Sequence, residues 1–418
     1  MRYDICVLGL GYIGLPTASI FATKGKKVLG VDVVPHVVET INRGEIHIQE
    51  PELDVLVRAA VQSGNLRAAG APMPAAVYII AVPTPFMATP DNPRAPDLTY
   101  VEAATRSIAP VVEPGALIIL ESTSPVGTTE LMRDWLRQEL MRDPRREAQF
   151  ASPDSLLFAH CPERILPGQM LKELVSNDRI AGGLTPAAAL AAKQLYQIFC
   201  SGEIFLTDAR TAEMAKLTEN SCRDVNIAFA NELSLICEKL DIDVWELIRL
   251  ANKHPRVKIL QPGPGVGGHC IAVDPWFIVA AAPKEARLIR VAREVNDAKP
   301  HHVVAKVMTH AGRFKSPVIA CLGLAFKADV DDLRESPAVE IVRDLAKAGA
   351  GQLLVVEPYA AKLPPALAML PAVRAMSLEE ALPKADIVLL LVNHRQFAAV
   401  DRSLLREKVV IDTRGLWR

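Results

Sequence analysis

Apolar positions follow two rhythms along this chain. Short runs, Ile5-Cys6-Val7-Leu8, Lys27-Val28-Leu29-Gly30-Val31, Val77 to Val82 and Leu117-Ile118-Ile119-Leu120, end in turn or polar residues and are separated by longer stretches with helical spacing. That alternation predicts βαβ units around a parallel sheet buried on both faces. The texture changes near Thr211. Thr211 to Leu240 holds neither Gly nor Pro and keeps a helical period throughout, which predicts one long helix, and the helical middle continues to about His310. Strand runs return at Val318 to Leu322, Leu353 to Val356, Asp386 to Val392 and Val409 to Ile411. The expected architecture is α/β, with two doubly wound parallel-sheet domains, residues 1–205 and 313–418, joined by a central helical domain, 206–312. Lys362 to Pro371 is expected to be a surface connection.

Composition narrows the class. The chain has 418 residues, half of them apolar and 23% charged, which is ample material for packed cores. Its 47 basic and 48 acidic residues nearly cancel, and aromatics make up 5%. That balance argues against tracking phosphates and stacking bases, so no nucleic-acid partner is expected. No apolar run reaches the roughly 18 residues that cross a bilayer, and no membrane insertion is expected. Seven widely spaced cysteines without Cys-x-x-Cys fit neither a disulfide framework nor a zinc site. A cytoplasmic location and no metal are therefore expected.

The first chemical signal follows the first strand. Gly9-Leu10-Gly11-Tyr12-Ile13-Gly14 opens a helical pattern, and the second strand ends at Asp32, eighteen residues after Gly14. In a Rossmann-like turn the first glycine makes the bend, the second lets backbone approach a pyrophosphate, and the third lets helix pack on strand. A carboxylate at Asp32 would accept from a ribose diol. Val33-Val34-Pro35-His36 supplies no arginine for a 2′-phosphate, which favours NAD over NADP. The C-terminal counterpart, Gly323-Leu324-Ala325-Phe326-Lys327, has one glycine and is followed by Asp329, Asp331, Asp332 and Arg334. It is expected to bind a different anion, through side chains such as Lys327 and Arg334.

The second signal is Gln261-Pro262-Gly263-Pro264-Gly265-Val266-Gly267-Gly268-His269-Cys270, with four glycines in six positions and a thiol at its end. If a helix begins there, the Cys270 thiolate gains stability as a nucleophile, with Asp274 one turn on. Cys6, Cys200, Cys237 and Cys321 read instead as small buried hydrophobes. On the long helix Lys216, Asn220 and Arg223 share one face within roughly 60° of arc, and Asn231 falls near the same stripe. The stripe is either solvated or an oxyanion and water holder. Cys161-Pro162-Glu163-Arg164-Ile165 places Glu163 in a loop.

Together these motifs, with Val82-Pro83-Thr84-Pro85 and Glu121-Ser122-Thr123-Ser124-Pro125-Val126-Gly127, resemble the UDP-glucose/GDP-mannose dehydrogenase family from end to end. Cys161 to Arg164, Asn220 to Cys237, and His254-Pro255-Arg256 leading to Trp276 are similar to the branch that oxidises UDP-N-acetyl-D-mannosamine. Arg164 stands where UDP-glucose enzymes typically carry an aromatic.

The resemblance implies a four-electron oxidation of a sugar C6 alcohol to a carboxylate with two NAD per turnover. Cys270 would form a thiohemiacetal and then a thioester. Lys216, Asp274 and Asn220 would manage protons, oxygen and water, with Glu163 and Thr123 positioning sugar and water. It further implies Gly9, Gly11, Tyr12, Ile13, Gly14, Asp32, Thr84 and Thr123 at the cofactor. For the UDP-sugar it implies Arg164, Ile165, Lys216, Asn220, Arg223, His254, Arg256, Gly267, Phe326, Lys327, Arg334 and Arg414. A homodimer formed through the long helix, with Arg256 reaching in from the partner, is also implied. Ala328 departs from the proline frequent after the family's Ala-Phe-Lys.

Other outcomes remain open at this level. One is UDP-glucose or UDP-N-acetylglucosamine as substrate. A two-electron β-hydroxyacid-type dehydrogenase, which leaves Cys270 and the C-terminal domain unexplained, and an inactive NAD-binding sensor are the others.

Overall fold

The structure is a computed structural model that describes residues 2–48, 50–87, 94–152, 155–165, 168–268, 270–360 and 362–418. Leu166 and Pro167 of the Glu163 loop, and His269 of the glycine-rich loop, lie outside the described residues. The chain divides into two compact units, 1–218 with 276–281, and 219–275 with 282–418.

In the first unit the strands are β1 (Tyr3–Leu8), β2 (Val28–Val31), β3 (Leu66–Ala69) and β4 (Ala75–Ile80). A short ladder of β5 (Phe86–Met87) and β6 (Ala95–Pro96) precedes β7 (Leu117–Leu120), β8 (Leu157–His160), β9 (Arg179–Gly183) and β10 (Ile204–Asp208). Eight of them form one sheet in the order β10-β9-β8-β7-β4-β1-β2-β3. All its pairs are parallel except β8 with β9, which is antiparallel and departs from the uniform parallel sheet expected. Alternate residues of β1 serve opposite cores: Ile5 and Val7 pack on one face, Cys6 and Leu8 on the other. A strand buried on both faces has to be apolar at every position, which is why these strands appear as solid runs.

In the second unit β11 (Val318–Leu322), β12 (Gln352–Val356), β13 (Val373–Ala375), β14 (Ile387–Leu390) and β15 (Val409–Asp412) form an all-parallel sheet, ordered β13-β12-β11-β14-β15. The long helix runs Ala209–Lys239, within two residues of the expected start and one of the expected end. A second helix, Arg287–Ala311, carries Pro300 in its interior. The stretch expected as a surface connection contains the helix Pro365–Ala368, whose Leu367 is wholly buried and anchors it to the core. Among the described residues no helix is long and apolar enough to cross a membrane.

Candidate functional site

In the first unit β1 delivers its glycine turn at the sheet's carboxyl edge. Gly9 has φ +90°, and a Cβ there would lie 2.6 Å from the Ala81 carbonyl oxygen. A Cβ on Gly14 would lie 1.8 Å from the Gly9 carbonyl oxygen, so the helix Gly14–Thr23 could not seat on the turn. Gly11 differs: nothing of the protein lies within 4 Å of a Cβ built there. Packing thus requires the first and third glycines, and the second leaves an open cradle that a side chain would fill. The helix behind it has no capping side chain and no acid in its first turn, so its N-terminal field is available to an anion.

Asp32 Oδ2 accepts from Leu10 N at 3.0 Å and Oδ1 from Val34 N at 3.0 Å. Each oxygen retains a lone pair for a diol. Tyr12 and Ile13 are half-buried beside the turn, and Thr84 Oγ1 donates to the Thr123 carbonyl at 2.6 Å, tying the two loops together. These residues fit an NAD site.

The Thr123 loop is held by residues the sequence did not reveal. Glu213, buried near the start of the long helix, accepts from Gly127 N at 2.6 Å, Thr129 N at 2.8 Å and Thr129 Oγ1 at 2.6 Å. Its desolvation outweighs these bonds and raises its pKa. Glu163 is buried: its Oε1 accepts from Arg164 N at 2.7 Å, and its Oε2 accepts from Arg179 Nη2 at 2.8 Å. Arg164 and Ile165 are half-buried beside it, and Lys216 is half-buried on its helix.

In the second unit the thiol of Cys270 is exposed and forms no disulfide. The helix begins at Asp274, so the condition of a helix start at Cys270 is not met and Cys270 sits in the turn leading into the helix. Its carbonyl accepts from Val273 N at 3.1 Å and Asp274 N at 2.9 Å. Asp274 is buried, and its Oδ2 accepts from Asn220 Nδ2 at 2.5 Å, joining the long helix to the Cys270 turn. Arg223, two turns of sequence beyond Lys216, is exposed, whereas Asn220 and Asn231 of the same stripe are buried.

The glycine-rich loop is dense in glycine for a reason beyond ligand access. A Cβ at Gly263 would lie 2.7 Å from Arg414 Nη1, at Gly265 2.9 Å from Pro337, at Gly267 2.4 Å from the Glu335 carbonyl, and at Gly268 3.0 Å from the Phe326 ring. Two of these neighbours, Arg414 and Phe326, are among the residues expected to bind the nucleotide. Lys327 is exposed beside Phe326, while Arg334 makes a two-pronged pair with Asp332, at 2.9 and 2.7 Å. His254 and Arg256 are both exposed, on the turn after the helix Val244–Ala251.

Backbone N–H groups of the C-terminal turn are taken by an acid of the same unit, so a phosphate there would have to be met by side chains. Glu357 Oε2, at the end of β12, accepts from Leu324 N at 2.6 Å and Ala325 N at 2.9 Å, with His394 Nε2 at 3.2 Å. These bonds lower the pKa of Glu357 against the desolvation that opposes them.

Cys6, Cys200, Cys237 and Cys321 are buried as expected, and burial pushes the thiols of Cys6 and Cys321 up to about 12. Cys161 is buried too, and Cys222 is exposed.

Three family models match in order: the NAD-binding domain of UDP-glucose/GDP-mannose dehydrogenases over residues 3–200, their central domain over 210–298, and their UDP-binding domain over 320–418. The NDP-N-acetyl-D-galactosaminuronic acid dehydrogenase of Ralstonia nicotianae is 60% identical over 413 residues, 99% of this chain and 96% of that protein. The UDP-N-acetyl-D-mannosamine dehydrogenase of Escherichia coli K12 is 55% identical over 422 residues, 99% of each chain. Among solved structures, the UDP-D-ManNAc dehydrogenase of Pyrococcus horikoshii superposes with a TM-score of 0.87 at 40% identity, covering 100% of this chain and 96% of that one.

Proposed function

The chain belongs to the UDP-glucose/GDP-mannose dehydrogenase family of NAD-dependent oxidoreductases, and from that premise we propose that it oxidises UDP-N-acetyl-D-mannosamine at C6 to the uronate. The Gly11 cradle and Asp32 would hold NAD, which would supply the hydride acceptor for both oxidations. The observation that carries the two-step reading is an exposed thiol, Cys270, on a loop clamped against Phe326 and Arg414. A one-step alcohol dehydrogenase needs no nucleophile; two oxidations at one carbon do.

In this reading the Cys270 sulfur adds to the C6 aldehyde left by the first oxidation, and the carbonyl oxygen takes a proton. Loss of a hydride from that thiohemiacetal, with its hydroxyl proton, gives a thioester. Water then adds to the acyl carbon, the carbon–sulfur bond breaks, and the thiol recovers a proton as the uronate leaves. Asn220 orients Asp274 beside the nucleophile turn, and Lys216 stabilises the developing oxyanion. Glu163 and Thr123 hold the hydrolytic water and the sugar. Phe326, Lys327 and Arg414 receive the uridine diphosphate, with Arg223, His254, Arg256, Gly267 and Arg334 completing the substrate contacts in a homodimer.

The Ralstonia relative favours a second substrate of the same chemistry, a nucleoside-diphosphate N-acetylgalactosamine. NADH stoichiometry with a panel of UDP-N-acetylmannosamine, UDP-N-acetylgalactosamine, UDP-N-acetylglucosamine and UDP-glucose tests both parts. Two NADH per sugar with the mannosamine nucleotide is expected. One NADH per sugar would rule out the thioester route, and turnover confined to another nucleotide would reassign the substrate.

A further inference from the structure

Behind Glu163 the first unit encloses a polar cluster with no assigned task. The Arg179–Glu163 pair has side chains 5% and 6% exposed. The Arg179 guanidinium lies 4.7 Å from the centre of the Tyr196 ring and 5.4 Å from that of Phe199. Tyr196 OH donates to Glu121 Oε1 at 2.5 Å, and Thr17 Oγ1 donates to Glu121 Oε2 at 3.3 Å. Two carboxylates, Glu121 and Glu163, therefore surround one cation, with the Cys161 thiol beside them.

Stability alone is a poor reason for such a cluster, because burying an ion pair costs about as much in desolvation as its attraction returns. The aromatic cradle does something more specific. It fixes the plane of the guanidinium, and that plane fixes one oxygen of Glu163, while Arg164 N fixes the other. Two lone pairs of the carboxylate then keep one direction, as water positioning requires. Glu121 is engaged by Tyr196 and Thr17, and burial, then the charge of Glu163, raises its pKa to about 7. The Arg179 guanidinium donates to Glu163.

We propose that Arg179 is a positioning residue that holds the Glu163 side chain in a single orientation, with the Tyr196–Glu121 pair as its support. The inference rests on the role given above to Glu163 in thioester hydrolysis.

The test uses the full-length enzyme and three variants, Arg179→Lys, Glu163→Gln and the double Arg179→Met/Glu163→Gln, the last of which removes both members of the buried pair. Rapid-mixing measurements follow the NADH burst and the release of uronate separately, alongside KM for the sugar nucleotide. Arg179→Lys is expected to slow uronate release about ten- to a hundredfold, with KM within about twofold and the NADH burst retained. The double variant is expected to be no slower than Glu163→Gln, because Arg179 acts through Glu163. Normal uronate release in Arg179→Lys, or losses that multiply in the double variant, would overturn the inference while leaving Glu163 its role. Normal release in Glu163→Gln would remove that role and the inference with it.

Discussion

Asn231 joins the long helix to the glycine-rich loop: its Oδ1 accepts from Gly263 N at 2.8 Å while its Nδ2 donates to Asn296 Oδ1 at 2.8 Å. Asn296 Nδ2 donates in turn to Asp224 Oδ1 at 2.8 Å, and the same oxygen takes Arg293 Nη1 at 2.5 Å. All four side chains are buried. The loop that ends in Cys270 is thus anchored at its start to a polar network in the helical core.

Removing that anchor is expected to affect both stability and chemistry. Asn231→Leu strands the Gly263 N–H and the Asn296 side-chain Oδ1, each an unmet buried group worth about 1–3 kcal/mol. Thermal unfolding should shift down by several degrees. In the surviving folded fraction kcat should fall while NAD affinity, measured by calorimetry, stays within about twofold.

The two glycines of the cofactor turn should separate folding from binding. Gly11→Ala meets no protein atom within 4 Å, so its melting temperature is expected to match wild type while NAD affinity drops at least tenfold. Gly14→Ala places its Cβ 1.8 Å from the Gly9 carbonyl oxygen and is expected to unfold or shift the melting point sharply. Calorimetry of the two proteins, with and without NAD, checks the contrast.

Alkylation should follow exposure. Iodoacetamide is expected to modify Cys222 and Cys270 while Cys6, Cys161, Cys237 and Cys321 stay protected in the native state. In a Cys222→Ser protein, loss of uronate formation should track modification of Cys270, read by peptide mass spectrometry. Inactivation that runs ahead of Cys270 labelling would count against the thiol as nucleophile.

Acid stability carries the signature of His160. This side chain is wholly buried at the end of β8, and desolvation pulls its pKa down to about 3. Between that value and the 6.5 of an unfolded histidine the unfolded chain binds the extra proton, so this group's contribution to stability falls as pH falls across that window. The slope approaches about 1.4 kcal/mol per pH unit for one group. Urea titrations at several pH values should show a His160→Leu protein losing less stability than wild type from pH 6.5 to 4, whatever its stability at pH 7.

Several elements were legible because a local rule dictates them. Solid apolar runs mark strands covered on both faces, and Thr211 to Leu240, free of helix breakers, marks the long helix. Gly9, Gly14 and Asp32 announce a dinucleotide turn through spacing alone. Cys270 stands out because glycines crowd its loop. The antiparallel β8–β9 pair was not legible, since strand direction depends on how the chain between them returns. Leu367 was hidden for a related reason: four helical residues beside prolines look like a connection until a core is there to receive one side chain.

By itself the sequence determined the α/β layering, the cofactor turn, the candidate thiol and the family, since each rests on residue type at short spacing. The tertiary structure alone decided which polar groups are buried together. It brought Arg179 to Glu163 across 16 positions, Glu213 to Thr129 across 84 and Asn231 to Gly263 across 32. A lone Glu or Arg in sequence is indistinguishable from a solvated one. Only packing removes the water, and only then must the charge or the N–H find the partner that gives it a task.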